Sequence, residues 1–333
     1  MVSGQVILSV YILTFLIGLP ANLLAFYAFV KKICEKPTPT DILLLNLTIS
    51  DLLFLLFLPL KMYEAASEMR WFLPGYLCPV TTFVFFSTIY TSSVLLMAVS
   101  VDRYLCVAFP VQYKVHRKPL YGVICSGFIW ITTSTHLCFV YIVDHLSRNE
   151  NPAQDCYNNF TQSQLDVVLP MRLELCVVLY FLPLLVCTFC YTKFILILRR
   201  TSSLNEGKRR RAVGMAVGTL LVFVLCFLPY NITHIQGFII QEDVSWRSDA
   251  LLLTTVNTVF DPITFYFSSA AFQGNLKALL RQGVKTMCPG AGVTNVSTIQ
   301  NAVRQVGQTG NMQNNHLSAS QWQQRNDWSC RAV

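Results

Sequence analysis

The chain has 333 residues, of which 53% are hydrophobic and only 13% charged, about half the charged share usual in soluble domains. That balance excludes an ordinary soluble enzyme or nucleic-acid-binding domain, because too few polar residues remain to build outward faces over an apolar core. The formal net charge of +8 falls in short loops, where it suits anionic lipid headgroups and requires no nucleic acid.

Residues 2–30, 71–101, 120–143, 175–192 and 212–241 contain no Asp, Glu, Lys or Arg, while 42–60 and 250–276 contain one aspartate each, Asp51 and Asp261. A hydrocarbon core about 30 Å thick is crossed by about 20 apolar residues of helix. The pattern therefore predicts an all-α membrane protein, a bundle of seven transmembrane helices. The first stretch has no basic residues before it and is followed by Lys31 and Lys32, so it reads as a signal anchor rather than a cleaved signal peptide. One set of loops carries Lys31, Lys32, Lys36, Lys114, Arg117, Lys118, Arg199, Arg200 and the run Lys208, Arg209, Arg210, Arg211. The other carries Glu64, Glu68, Asp144, Glu150, Asp155, Asp166, Glu242 and Asp243. The positive side is cytoplasmic, which places the N-terminus outside the cell in a multi-pass plasma-membrane protein. The run at Lys208 reads equally as a partner surface and as a solvated helix end.

Cys78, at the start of the third span, and Cys156, in the second outer loop, both fall on the oxidising side, and a disulfide is expected between them. Asn159, with Phe160 and Thr161, forms a glycosylation sequon in the same loop; formal matches at Asn46 and Asn231 lie within spans and are expected to be silent. Cys187 and Cys190 have redox spacing but sit in an apolar span, where packing is the better reading. Residues 271–287 are expected to form a short amphipathic C-terminal helix that closes a receptor domain of residues 1–287. Cys288 is a weak palmitoylation site, and 288–333 are too polar to fold alone.

Polar residues that are costly in a bilayer are functional candidates. Here they are Asn22 in GLPAN, Asp51 in LTISD, Ser92, Asp102-Arg103-Tyr104 at the end of the third span, and Tyr191 after Pro183. Cys226 to Pro229, Asn257 and Asp261-Pro262 complete the set. Pro183, Pro229 and Pro262 each remove a backbone donor and predict a disturbed helix. Together with Trp130 these residues resemble the rhodopsin-like G-protein-coupled receptors. The resemblance implies a switch at Asp102, Arg103, Tyr104 and Tyr191. It also implies a buried network of Asn22, Asp51, Ser92, Asn257 and Asp261 that holds an allosteric sodium ion and no other cofactor. Phe265 departs from the tyrosine usual at its position.

A closer resemblance, to the short-chain branch of the free fatty acid receptors, rests on GLPANLLA, LLLNLT, PLKMYEAAS, AFPVQYK, LDVVLPMRLELC, PYNITH and DPITFYFSS. It implies that Arg172, Arg247 and His234 bind a short-chain carboxylate, with Tyr230, Tyr90, Phe86 and His136 around it. It further implies a heterotrimeric G protein of the Gi/o class as partner, with Gq second, and membrane lipid as surroundings. From the residues alone, Arg172, Arg247 and His234 lie at similar depth near the outer helix ends and are expected to converge on one anion. Each arginine singly also fits snorkelling or pairing with Glu174, Asp249 or Asp166. His136 reads equally as a structural residue. Phe86 and Asn158 stand where the acetate-preferring member has a tyrosine and a glutamate, which favours propionate and butyrate. The alternatives are a receptor for another small anion, hydroxycarboxylate or lipid, and a carboxylate transporter. The Asp102-Arg103-Tyr104 motif and the lack of a repeat weigh against the transporter, and no catalytic constellation points to an enzyme.

Overall fold

A computed structural model describes residues 4–138, 156–157, 160–201 and 205–268, with only the backbone at 208 and 265–268. The expected helix at 271–287, the tail at 288–333, Asn158, Asn159 and Cys288 lie outside the described residues, as does the Phe265 side chain.

Among the described residues, every regular element is a helix. The first three helices are Gly4–Glu35, Pro39–Ala66 and Leu77–Ala108, and the fourth is Pro119–Leu137. The fifth is Gln162–Arg200, the sixth runs from Glu206 to Ile240 through three segments, and the seventh is Arg247–Ser268. A seven-residue helix, Pro110–His116, fills the inner loop after the third.

The third helix begins at Leu77, six residues later than the hydropathy pattern suggests, because Pro74 and Gly75 form a turn ahead of it. It then continues past Arg103 to Ala108, so the Asp102-Arg103-Tyr104 motif lies within the helix. The fifth helix begins earlier than its apolar run, where the Gln164 side chain accepts from the Thr161 N–H at 2.8 Å. Arg172 thereby gains a fixed helical position. Ahead of Pro183 and Pro229 the helix widens into π-turns at Cys176–Phe181 and Phe223–Phe227. A proline lacks the N–H and its ring crowds the carbonyl a turn earlier, which a wider turn accommodates. Tyr180 in the first widened turn donates to the Phe223 carbonyl in the second at 3.0 Å. Around Pro262 the helix runs as α to Ser268.

Leu16, Leu56, Phe128, Ile131 and Leu185 point outward and are exposed, as suits a surface solvated by lipid. Because lipid is as apolar as these side chains, the helices associate through close approach and polar contacts worth about 0.6 kcal/mol each on average. Trp130 donates to Asn46 at 3.2 Å, Thr91 meets Thr133 at 2.7 Å, and Ser93 donates to the Leu179 carbonyl at 3.0 Å. At Gly122 the fourth helix lies so near the second that an added Cβ would meet the Pro39 carbonyl oxygen at 2.8 Å. The third helix is the centre, with every residue from Phe85 to Ser93 buried. Cys187 and Cys190 are buried, unpaired thiols within the fifth helix, in keeping with a packing role.

Candidate ligand site

Cys78 at the head of the third helix is bonded to Cys156, with Cα atoms 5.6 Å apart. This tether holds Cys156 and Tyr157 against the outer end of the bundle. The next residue, Tyr157, has φ of 61°, a conformation costly for a bulky side chain. It turns the ring inward, 5.8 Å from Phe86 and 4.9 Å from Phe160. Arg172 lies over both loop aromatics, 4.8 Å from the Phe160 centroid and 5.8 Å from that of Tyr157, while Arg247 lies 5.7 Å from Phe160. Two guanidiniums are thus caged by loop aromatics, an arrangement that favours cations in a site shielded from water. Burial pushes the Tyr157 phenol up to about 12 against the pull of Arg172, so it stays a neutral donor.

At the end of the sixth helix, Gln241 takes the left-handed conformation with φ of 58°, and the chain reverses through a short loop into the seventh. Asp243 in that loop accepts from Arg172 Nη1 at 2.9 Å and from Arg247 Nε at 2.9 Å through the same oxygen. Arg247 Nη2 donates to the other Asp243 oxygen at 3.1 Å and to the Tyr157 carbonyl at 3.4 Å.

Below this cluster is a small cavity whose polar lining comes from Arg172, His234, Tyr157, Tyr90 and Tyr230. Phe86, Leu137 and Leu175 supply apolar wall. Phe86 and Tyr230 stack at 6.1 Å, and Tyr230 meets His234 edge-on at 4.4 Å. The Tyr90 hydroxyl and His234 Nε2 are 3.2 Å apart. If Tyr90 donates, the proton of the neutral imidazole sits on Nδ1. His234 Nδ1, Arg172 Nη2 and the Tyr157 hydroxyl are all buried without a hydrogen-bond partner. With the His234 proton on Nδ1, three unsatisfied donors surround one small cavity that also has an apolar wall, which suits an anion with a short apolar tail.

Six residues singled out from the sequence, Arg172, His234, Tyr230, Tyr90, Phe86 and, across Tyr157, Arg247, come together here. Arg247 lines a neighbouring pocket that Lys61 and Glu64, paired at 2.8 Å, also line. Phe86 and Tyr157 line both spaces. Arg172 and His234 thus line the same cavity, whereas Arg247 turns its fork to Asp243. His136 does not line the cavity. Its Nδ1 faces the Thr132 carbonyl at 2.7 Å and its Nε2 faces Glu174 at 3.1 Å. Its neighbour Leu137 occupies the inward side, and successive helical residues lie about 100° apart. Asp243, Tyr157 and Phe160 were missed as site residues, although their spacing to Arg247 and Cys156 was visible.

At mid-depth Asn22 donates to the Gly18 and Thr258 carbonyls at 3.0 and 2.9 Å, Ser92 to Ser50 at 3.1 Å, and Asn257 to Asp261 at 3.0 Å. Asp51, Ser92 and Asn257 line a second small cavity. The Asp51 and Asp261 carboxyls face each other, and each has one oxygen without a donor. At the inner end, Asp102 accepts from the Thr40 and Tyr113 hydroxyls. Tyr113 belongs to the inner-loop helix, and its phenol is pushed up by burial and then by the Asp102 charge. Arg103 is 8% exposed, Tyr104 packs edge-on against Phe189 at 5.9 Å, and Tyr191 is fully buried beside Phe194.

A helical bundle with a polar interior, a disulfide-tethered outer loop and a small anion-suited cavity defines a ligand-receiving membrane receptor. The family model for the 7 transmembrane receptor (rhodopsin family) matches residues 21–265. Free fatty acid receptor 2 of Rattus norvegicus is 49% identical over 297 residues, covering 86% of this chain and 90% of that one. Its Mus musculus counterpart is 51% identical over 272 residues, covering 80% and 82%. Free fatty acid receptor 3 of Homo sapiens is 44% identical over 279 residues, covering 83% and 80%. The chain belongs to the rhodopsin family of seven-transmembrane receptors, in the free fatty acid receptor branch. It is a multi-pass membrane protein and a receptor, not an enzyme.

Proposed function

We propose that this receptor binds short-chain carboxylates at the plasma membrane, with its N-terminus outside, and signals mainly through Gi/o. The observation that carries the reading is the set of three unpartnered buried donors, Arg172 Nη2, His234 Nδ1 and the Tyr157 hydroxyl, on one apolar cavity. The carboxylate takes these donors, and the alkyl chain lies against the wall formed by Phe86, Tyr230, Leu137 and Leu175. Arg172 offers the charge, worth more than a neutral donor in a water-poor site. Arg247 acts from across Tyr157, by holding Asp243 and adding its field. The names of the relatives support the same ligand class, and the absence of a polar group at Phe86 favours propionate and butyrate.

The test is a cAMP and calcium assay on straight-chain acids of one to eight carbons, with butyramide as the uncharged control. A cAMP fall blocked by a Gi/o-directed toxin, with butyramide inactive, is expected. Equal potency of butyrate and butyramide, or an unchanged response in Arg172→Ala at normal surface level, would refute the site.

The second cavity suits sodium. Asp51, Ser92 and Asn257 offer oxygen donors, which a hard cation prefers, and Asn257 Oδ1 and Asp51 Oδ2 have no partner. Two facing buried carboxyls require a neutralising charge or proton. A sodium ion bound there supplies that charge and holds the second, third and seventh helices together.

A further inference from the structure

The ligand site already contains a carboxylate of its own. Asp243 takes one guanidinium nitrogen of Arg172 and two of Arg247, and it is 23% exposed while the two arginine side chains are 4% and 5% exposed. Arg172 and Arg247 bring two positive charges, Asp243 removes one, and a single positive charge is left for a ligand. Arg172 Nη2 is buried without a hydrogen-bond partner, and Arg172 lines the smaller cavity. We infer that Asp243 is a specificity residue that restricts the site to monocarboxylates, by occupying the place and cancelling the charge that a second ligand carboxylate would need. This inference rests on the carboxylate reading above.

The chemistry follows from the shared guanidinium. A dicarboxylate whose first group sits on Arg172 Nη2 has its second group carried towards Nη1 and Arg247, where Asp243 already sits. Like charges at that separation repel strongly in a site with little water, and discrimination is strongest when the wrong ligand meets a built-in repulsion. The tether also matters, since a group on a short loop competes at an effective concentration in the millimolar range. A free acid must therefore be abundant to displace it, whereas one that leaves Asp243 in place avoids the competition.

Asp243→Asn keeps the shape and removes the charge. In cells expressing the full chain at matched surface levels, half-maximal concentrations are measured for butyrate and for malonate, succinate and glutarate. The ratio of the best dicarboxylate to butyrate should fall about ten-fold or more in the variant, the effect of one added charge-assisted contact. A merely structural role for Asp243 would weaken all the acids together and leave that ratio unmoved. Asp243→Cys gives a second arm. It should accept dicarboxylates until it is labelled with an anionic sulfonatoethyl methanethiosulfonate, after which only butyrate acts; the wild type treated alike controls for reaction at exposed cysteines such as Cys138. An unchanged ratio in both variants, or loss of the butyrate response in both at normal surface level, overturns the inference. A wild type indifferent to every monocarboxylate would instead remove the underlying reading.

Discussion

Phe86 and Tyr230 face each other across the third and sixth helices with ring planes 10° apart and centroids 6.1 Å apart. The stacked pair presents one continuous aromatic wall of fixed position to the cavity.

Chain length should therefore act through volume. Each methylene buried contributes about 0.8 kcal/mol, or about four-fold in potency, until the cavity is full. A further carbon then costs about 1–3 kcal/mol through overpacking. Phe86→Ala should weaken propionate and move the optimum to longer acids, read from dose–response curves across two to eight carbons. An unmoved optimum would place the chain elsewhere.

Tyr90 is expected to act through His234 and not by direct contact with the ligand. In Tyr90→Phe the Nε2 atom loses its donor, so the imidazole proton is free to move from Nδ1 to Nε2 and the ligand loses a hydrogen bond. A charge-assisted bond is worth about 1.5–3 kcal/mol, so potency should fall about ten-fold or more with surface expression intact. Potency equal to the wild type would show that the tautomer is not set by Tyr90.

Asp102 is held by Thr40 from the second helix and Tyr113 from the inner-loop helix. Those bonds tether the inner end of the third helix. Tyr113→Phe removes one of them without altering the surface charge, and agonist-independent signalling should rise as the tethered arrangement loses population. Basal signalling that stays level or drops in Tyr113→Phe would argue against a restraining role.

Sodium should compete with activation if it bridges Asp51, Ser92 and Asn257. Replacing sodium by N-methyl-D-glucamine should raise agonist potency, and Asp51→Asn should abolish that dependence in a binding assay. Identical affinities in the two salts would rule the ion out.

The bilayer made most of the architecture legible in the sequence. A span must be about 20 apolar residues long and must satisfy its backbone internally, so charge-free stretches, prolines and isolated aspartates declare themselves without any fold in hand. The family resemblance added Arg172, His234, Tyr90 and Phe86, which all reached the cavity. Only the tertiary structure decided which donors remain available. Asp243, Tyr157 and Phe160 lie in loops, where no helical period constrains a side chain, and their roles depend on the Cys78–Cys156 tether and the reversal at Gln241. Arg172 and Arg247 looked equivalent as charges near helix ends, yet one faces the small cavity and the other an adjoining chamber. His136 differs from Leu137 by one residue, and that single step of rotation sends it to Glu174. Sequence sets which groups lie at a given depth, because depth follows from residues counted along a helix. Which groups meet is set by helix rotation and loop closure, which depend on packing among residues far apart in the chain.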